Sequence, residues 1–276
     1  MAKIFSHGTG RLAFSFGKMV ASAAVVGTVV VSAVVVSAIA QSKTAQSNTT
    51  QSNTPLAQAS SGPVVAELFT SQGCSSCPSA EAFFRDLSGD ENVLVLEWHV
   101  DYWDRLHYGS AGKWKDPFSD ASYTERQRVY NQAIRGQGGV YTPQAIINGT
   151  HETVGSRRSE IRSIISSADG VGSLAAARKG GKIHFSGSDA VIANTDKFQA
   201  LFVTFLRDAE TKVTGGENHG KSLRSANIVT AASVVKPSSG SEGFIVDLPE
   251  DGYGCALLLQ EPRGGKILAA QYCPVS

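Results

Sequence analysis

The spacing of apolar and polar positions changes character near residue 171 of the chain. Up to that point short apolar runs alternate with stretches of helical periodicity. This pattern predicts the order strand, helix, strand, helix, strand, strand, helix. The predicted strands lie at 64–69, 92–100, 143–147 and 150–154, and the helices at 79–87, 122–134 and 156–167. About one helix separates the first two strands, so we expect them to be parallel with a right-handed crossover.

Beyond residue 171 the chain consists of short apolar stretches separated by turn residues. These predict strands at 182–186, 190–194, 200–207, 227–235, 243–248, 255–260 and 266–271. Short strands with regular turn signals are typical of β-sandwiches. The sequence therefore predicts an α/β domain over 63–170 and a small β-sandwich-like domain over 171–276. The glycine-rich loop at 215–220 is interpreted as a turn within the second domain.

The N-terminal 62 residues lack this globular pattern. Residues 1–18 are basic without an acidic residue, and residues 19–40 are uncharged, rich in Val and Ala, and end in Ala38-Ile39-Ala40. This arrangement predicts a signal peptide over 1–40, although the apolar run is also long enough for an uncleaved membrane anchor. Either alternative places the rest of the chain outside the cytoplasm, in the periplasm or secreted. Residues 41–62 form a Gln/Ser/Thr tract that predicts a disordered linker.

Composition narrows the functional classes. The 276 residues include 42% hydrophobic residues, enough for a sizeable core, and carry a net charge of +1. A nearly neutral chain gives no electrostatic reason to expect nucleic-acid binding. The four cysteines form an even set, which an oxidising compartment would allow to pair.

Cys74 and Cys77 form a C-x-x-C motif between the first predicted strand and the first predicted helix. Unpaired N–H groups at a helix N-terminus favour negative charge, so one of these thiols should have a lowered pKa. Such a motif occurs in dithiol redox centres, in zinc sites and as a plain disulfide. The sequence contains no second C-x-x-C and no H-x-x-x-H motif, and the flanking strand and helix favour a redox centre.

The remaining cysteines, Cys255 and Cys273, are equidistant from the turn at 262–265. In a regular hairpin they would be cross-strand partners close enough for a disulfide. We therefore expect a structural disulfide between them.

Three polar residues are candidates for supporting roles. Glu67 is a carboxylate in an otherwise apolar strand. If it is buried, it would have a raised pKa and could accept the Cys77 proton, whereas at a sheet edge it would simply reach solvent. His99 and Asp101 follow the second strand, where they could hydrogen-bond each other, assist proton transfer or serve a structural network. His99 with Cys74 and Cys77 could instead bind copper or zinc.

The predicted element order, with C-x-x-C after the first strand, resembles the thioredoxin fold over about 63–168. In that fold a cis-proline precedes the third strand, and Thr142-Pro143 occupies its place. The resemblance implies that this bond is cis, and that Thr142 and Pro143 offer backbone hydrogen bonds to an extended substrate. It also implies that Cys74, the more exposed cysteine, attacks, and that Cys77 resolves the mixed disulfide.

The motifs ELFTSQGCSSCP, WHVDYWD, WKDPF, YTPQ and GEN-x-G together resemble a family of secreted, mainly bacterial, thioredoxin-like proteins of unknown function. That resemblance extends over about 63–273. Superfamily members with both cysteines are typically thiol–disulfide oxidoreductases acting on protein thiols or disulfides without a cofactor, although some only bind partners or metal. The resemblance therefore implies an extracytoplasmic oxidoreductase, with a non-catalytic binding module or a copper- or zinc-handling protein as alternatives.

Overall fold

The structure, a computed structural model, describes residues 62–187, 197–238 and 243–274. The predicted leader, almost all of the predicted linker and the predicted strand at 190–194 lie outside these ranges. The strands are β1 Val64–Thr70, β2 Val93–His99, β3 Gln144–Ile147, β4 His151–Val154, β5 Gly172–Ser173, β6 Ala175–Lys179, β7 Lys182–Ser186, β8 Gln199–Lys212, β9 Ser222–Val235, β10 Gly243–Asp247, β11 Tyr253–Gln260 and β12 Ile267–Tyr272. The helices are α1 Pro78–Leu87, α2 Ala121–Arg135 and α3 Arg158–Ser167.

The first half of the chain forms a four-stranded mixed sheet in the order β4-β3-β1-β2. Strand β1 is parallel to β2 and antiparallel to β3, and β4 returns antiparallel to β3. Helices α1 and α3 cover one face, where apolar side chains of β1, β2 and β3 pack against them. The prediction of a mixed α/β fold is confirmed. Among the described helices, none is both long and apolar enough to cross a bilayer.

The second half of the chain does not form a separate sandwich, which corrects the sequence prediction. Strands β9, β8, β11, β12 and β5 extend the first sheet to nine strands, and β9 joins β2 in parallel at Glu97 and Ile228. The hydroxyl of Tyr272 also accepts from the N–H of Val95 (2.7 Å) and donates to its C=O (3.0 Å). Because β2 would otherwise be an unpaired edge, a strand from the second half stabilises it by pairing.

A second sheet, in the order β10-β7-β6, packs on the outer face of β8, β11 and β12. This face-to-face arrangement is the sandwich-like part of the molecule. A different core, between the first sheet and α2, is shared by both halves of the chain, since it contains Leu94 and Phe69 together with Val203 and Leu258. The two halves therefore stabilise each other through buried apolar surface.

Cys255 on β11 and Cys273 after β12 form a disulfide with a Cα–Cα distance of 5.2 Å, which is the pairing the sequence predicts. Both cysteines are buried within the core between the two sheets. An attacking thiolate could reach this disulfide only if the two packed sheets separated, because both sulfur atoms lie in their shared core. We expect it to survive glutathione buffers that reduce the other pair, as peptide mapping would show. Replacing both cysteines with alanine should cost about 3 kcal/mol of stability, and recovery of Cys255 linked to Cys74 would contradict this assignment.

Candidate functional site

The C-x-x-C motif lies where β1 leaves the sheet and α1 begins. After Thr70 the chain turns, and the N–H of Cys74 donates to the carbonyl oxygen of Ser71 (3.1 Å). Cys77 is the residue before α1, and Pro78 is the first residue of that helix. Proline is tolerated at this position because the first backbone N–H groups of a helix have no partner within the helix. Cys74 and Cys77 are joined by a disulfide with a Cα–Cα distance of 5.4 Å. The motif therefore sits at a helix N-terminus, as the sequence predicts.

Neither cysteine is exposed, which corrects the expectation that Cys74 is the more accessible one. Both have 0% of their surface exposed, whereas Ser75 and Ser76 between them are exposed. The hydroxyl of Ser76 lies 3.3 Å from the sulfur of Cys74. A partner can therefore reach the disulfide only if the turn formed by Ser75 and Ser76 moves aside.

Pro143 begins the strand beside this motif, and the Thr142–Pro143 bond is cis, which confirms that prediction. The antiparallel pairing of Phe69 with Gln144 places Pro143 level with Thr70, where the cysteine loop departs from β1. The indole N–H of Trp103 donates to the hydroxyl of Thr142 (2.8 Å) and so fixes the residue before the proline. Thr142 and Pro143, the two residues predicted to contact substrate, thus lie at the end of the sheet where the cysteine loop leaves β1.

Glu67 does not occupy the predicted position near Cys77. It is fully buried, but on the sheet face opposite α1, where its carboxylate accepts from Arg126 Nε (2.9 Å) and from the Tyr130 hydroxyl. The Arg126 guanidinium also lies over the rings of Trp98 and Tyr130. Side chains of β1 alternate between faces, so a carboxylate that binds α2 cannot also serve the N-terminus of α1. Glu67 is therefore part of a buried ion pair.

His99 does not hydrogen-bond Asp101, which was one of the alternatives that the sequence left open. Its Nδ1 lies 2.7 Å from Oδ2 of Asp116, and both side chains are fully buried. Asp101 instead accepts from the Thr124 hydroxyl (2.6 Å) and faces Arg105. The sequence pattern could not distinguish the two aspartates, because Asp116 reaches His99 from a loop 17 residues further along the chain.

The His99–Asp116 pair is tied directly to the cysteine loop. Oδ2 of Asp116 also accepts from the N–H of Gln72 (2.8 Å), two residues before Cys74. Burial alone would lower the pKa of His99, but the facing Asp116 carboxylate outweighs it and raises that pKa. Burial likewise opposes the charge of Asp116, but His99 and the N–H of Gln72 hold the pKa of Asp116 below its ordinary value. The pair therefore favours the charged forms of both side chains.

Two buried glutamates complete this cluster, and the sequence analysis missed both. Glu81 lies four residues after Cys77, one turn into α1, and accepts from the Thr70 hydroxyl (2.7 Å). Glu97 is on β2, two residues before His99 and on the same face. Burial raises the pKa of Glu81, and burial with the charge of Glu81 raises the pKa of Glu97 well above its ordinary value. The sequence did carry a signal for both glutamates. Glu81 lies among the apolar positions of 79–87, and Glu97 lies within the apolar run of 92–100.

A loop of the second half, residues 213–221 between β8 and β9, covers the cysteine loop; we call it the β8–β9 loop. Asn218 is fully buried, and its side-chain N–H₂ donates to the carbonyl oxygens of Gln72 and Cys74, both at 2.9 Å. The carboxylate of Glu217 accepts from the N–H of Ser75 (2.8 Å). From the sequence this stretch was interpreted only as a turn. Contacts between residues separated by about 140 positions in the chain leave no periodic pattern in the sequence.

The structure gives no support to a metal site at the motif. Within the described ranges, no three His, Cys, Asp or Glu side chains are arranged to hold a metal ion. Nδ1 of His99 is engaged by Asp116, and the sulfur atoms of Cys74 and Cys77 are bonded to each other. The copper or zinc alternative therefore lacks a ligand set in this structure.

The chain matches a known protein family and is similar to proteins of known structure. The family described as "Protein of unknown function (DUF1223)" matches residues 65–258. A protein from Agrobacterium tumefaciens with a known crystal structure is similar at 28% identity and a TM-score of 0.59, covering 77% of this chain and 94% of its own. HBP35 of Porphyromonas gingivalis is 12% identical with a TM-score of 0.49, covering 77% of this chain and 74% of its own. No curated protein matches the chain.

Proposed function

The chain belongs to DUF1223, a family of unknown function, and from its site geometry we propose that it is an extracytoplasmic thiol–disulfide oxidoreductase using Cys74 and Cys77. One observation carries the proposal. A C-x-x-C disulfide at the N-terminus of α1 lies at the same sheet edge as the cis bond before Pro143. We assign the β4-β3-β1-β2 half of the molecule to the thioredoxin-like class on the same grounds.

The proposed reaction exchanges disulfides without a cofactor. In the reduced protein the Cys74 thiolate attacks one sulfur of a partner disulfide, so that a mixed disulfide forms and the other partner sulfur leaves as a thiolate. Cys77 then attacks Cys74, closing the Cys74–Cys77 disulfide and releasing the second partner thiolate. Two electrons pass to the partner, and the reverse sequence oxidises a dithiol.

The groups around Cys77 support a route for its proton. Cys77 must lose a proton before it attacks, and a buried thiol needs a nearby acceptor. Residues four apart share a helix face, so Glu81 lies one turn beyond Cys77 on the same side of α1. In this proposal Glu81 takes the role that the sequence assigned to Glu67.

An extracytoplasmic location is supported by two lines. The two disulfides are compatible with an extracellular location, since disulfides persist in oxidising compartments. The leader predicted over 1–40 would direct the chain there, whether it is cleaved or retained as an anchor.

One observation favours a second candidate, a thioredoxin-like binding module with a static disulfide. Cys74 has no exposed surface, so the sulfur is not available to a partner without movement of the loop. The two candidates differ in whether the disulfide exchanges at all.

The test is trapping with glutathione disulfide. Changing Cys77→Ala should leave Cys74 as a stable mixed disulfide with glutathione, because nothing resolves it, and mass spectrometry would detect the adduct. Cys74→Ala is the matched control and should accumulate little adduct, because Cys77 is expected to act only within the molecule. If neither variant forms an adduct, and the native pair does not equilibrate with glutathione, the binding module replaces the oxidoreductase.

A further inference from the structure

We propose that Glu217 sets the reactivity of Cys74 by holding a negative charge against the backbone N–H that follows it, and that Asn218 positions that charge. This inference rests on the proposed oxidoreductase function. It assigns to the second half of the chain a direct role in the chemistry of the first half.

The key contact is the hydrogen bond from the N–H of Ser75 to the Glu217 carboxylate (2.8 Å). This N–H belongs to the peptide bond that leaves Cys74, so the carboxylate is held at the residue directly after Cys74. Free N–H groups at a helix N-terminus stabilise a thiolate. A carboxylate on the Ser75 N–H, which precedes α1, occupies a backbone donor beside Cys74 and repels the thiolate, and this repulsion raises the thiol pKa.

Asn218 holds the neighbouring backbone in place. Its N–H₂ group donates to the carbonyl oxygens of Gln72 and Cys74, and its own oxygen accepts from Lys221 Nζ (2.9 Å). The N–H₂ group of this buried amide thus joins the β8–β9 loop to the cysteine loop, while its oxygen makes a hydrogen bond within the β8–β9 loop. Asn218 therefore fixes the backbone position of Glu217, although the side chain of Glu217 is itself exposed.

Two glycines allow this close approach. A Cβ at Gly215 would collide with the carbonyl of Lys113, and Gly216 has φ +70° with Trp114 Cβ only 3.1 Å from where its own Cβ would be. Any larger residue at these two positions would push the β8–β9 loop away from Lys113 and Trp114. Gly216, the first residue of the GEN-x-G motif, therefore allows the β8–β9 loop to pack closely against this neighbouring segment.

The charge of Glu217 also acts on the rim of the site. Burial and that charge together raise the pKa of Tyr108. Tyr108 stacks on Trp103 at 6.4 Å, and Trp103 packs against Gly73, the residue before Cys74. The carboxylate therefore acts electrostatically on the surface that a partner would approach.

The consequence for redox chemistry has a definite sign. Reduction of the disulfide by two electrons and one proton gives a Cys74 thiolate and a Cys77 thiol. A fixed carboxylate destabilises that thiolate, so it favours the disulfide and lowers the reduction potential. Removing the charge should make the pair a stronger oxidant.

The experiment compares the wild-type protein with Glu217→Gln and with Glu210→Gln. Glutamine keeps an oxygen that can accept from Ser75, so only the charge is lost, and Glu210 is an exposed carboxylate on the same hairpin. After phosphine reduction, alkylation at graded pH measures the Cys74 pKa, and glutathione buffers measure the potential. We expect Glu217→Gln to increase the thiolate fraction at neutral pH about 3- to 10-fold and to raise the potential by up to about 30 mV.

Further arms separate the outcomes. The effect of Glu217→Gln should shrink in high salt, because Glu217 is exposed, and a purely structural effect would not. Asn218→Ala should shift the thiol pKa in the same direction if thermal unfolding shows that it still folds. Equal pKa values in Glu217→Gln, Glu210→Gln and wild type would overturn this inference alone. Failure of wild type to equilibrate with glutathione would overturn the proposed function, while the pKa comparison would still test the role of Glu217.

Discussion

Arg126→Ala should lower the free energy of unfolding by about 3–5 kcal/mol, because it leaves the buried Glu67 carboxylate without its cation. The guanidinium lies 2.7 Å from Glu67, stacks over Trp98 and Tyr130, and donates to the side chain of Gln260 on β11. One side chain thus links α2, β1 and the second half of the chain. For a folded region of this size the melting temperature should fall by roughly 6–20 °C.

A double variant provides the control. In Glu67→Gln/Arg126→Met the buried charges are both removed and the volumes are nearly kept, so most of the lost stability should return. Urea denaturation of the single and double variants measures the difference. A single variant within about 1 kcal/mol of wild type would show that the Glu67 charge is solvated in the native protein.

Local signals predicted the elements that carry the site. The cis bond before Pro143 was expected from the resemblance to the thioredoxin fold, whereas apolar periodicity located the elements β1, α1, β2 and α2 to within one or two residues. These features depend on neighbours in sequence, which a single chain displays directly. The placement of Cys74 and Cys77 at the start of α1 follows from them.

Partner choice among buried charges could not be read in the same way. Glu67, Glu81 and Glu97 are all buried acids in apolar stretches of sequence. Of these three, only Glu67 forms a salt bridge with an arginine. Which face a side chain occupies depends on strand register, and a shift by one residue reverses it. The sequence therefore offered Glu67 as a possible acid near Cys77, or as a solvent-facing residue, and could not show that it pairs with Arg126 on the other face of the sheet.

The role of the second half of the chain was hidden for a different reason. A turn signal at 215–220 describes the local backbone, but the contacts of Glu217 and Asn218 reach residues near 72–75. Similarly, the pairing of β9 with β2 joins segments that are far apart in the chain. Regular strands with turns between them suggested a self-contained sandwich. No local sequence pattern indicates that one of these strands, β9, pairs with the edge of β2.

Glu97→Met should stabilise the protein at neutral and higher pH by about 1–3 kcal/mol, because it removes a buried carboxylate with no hydrogen-bond partner among the described residues. The Ala226 N–H and the Ser225 hydroxyl lie nearby, but neither makes a hydrogen bond of normal geometry to it. Burial and the charge of Glu81 raise the pKa of Glu97 well above 4.5. The folded protein therefore holds this proton at pH values where the unfolded chain has lost it.

The sign of the pH dependence follows from that difference. Between 4.5 and the raised native pKa of Glu97 the native state binds more protons than the unfolded state, so the contribution of Glu97 to stability is fully present below 4.5 and is lost as the pH rises through the native value. Glu97→Met should remove this loss, so its advantage should be small below 4.5 and should grow as the pH rises above it, as urea denaturation would measure. Glu91→Met, at an exposed position just before β2, is the control and should change stability by less than about 0.5 kcal/mol. An advantage that does not change with pH would mean that Glu97 already ionises normally in the native protein.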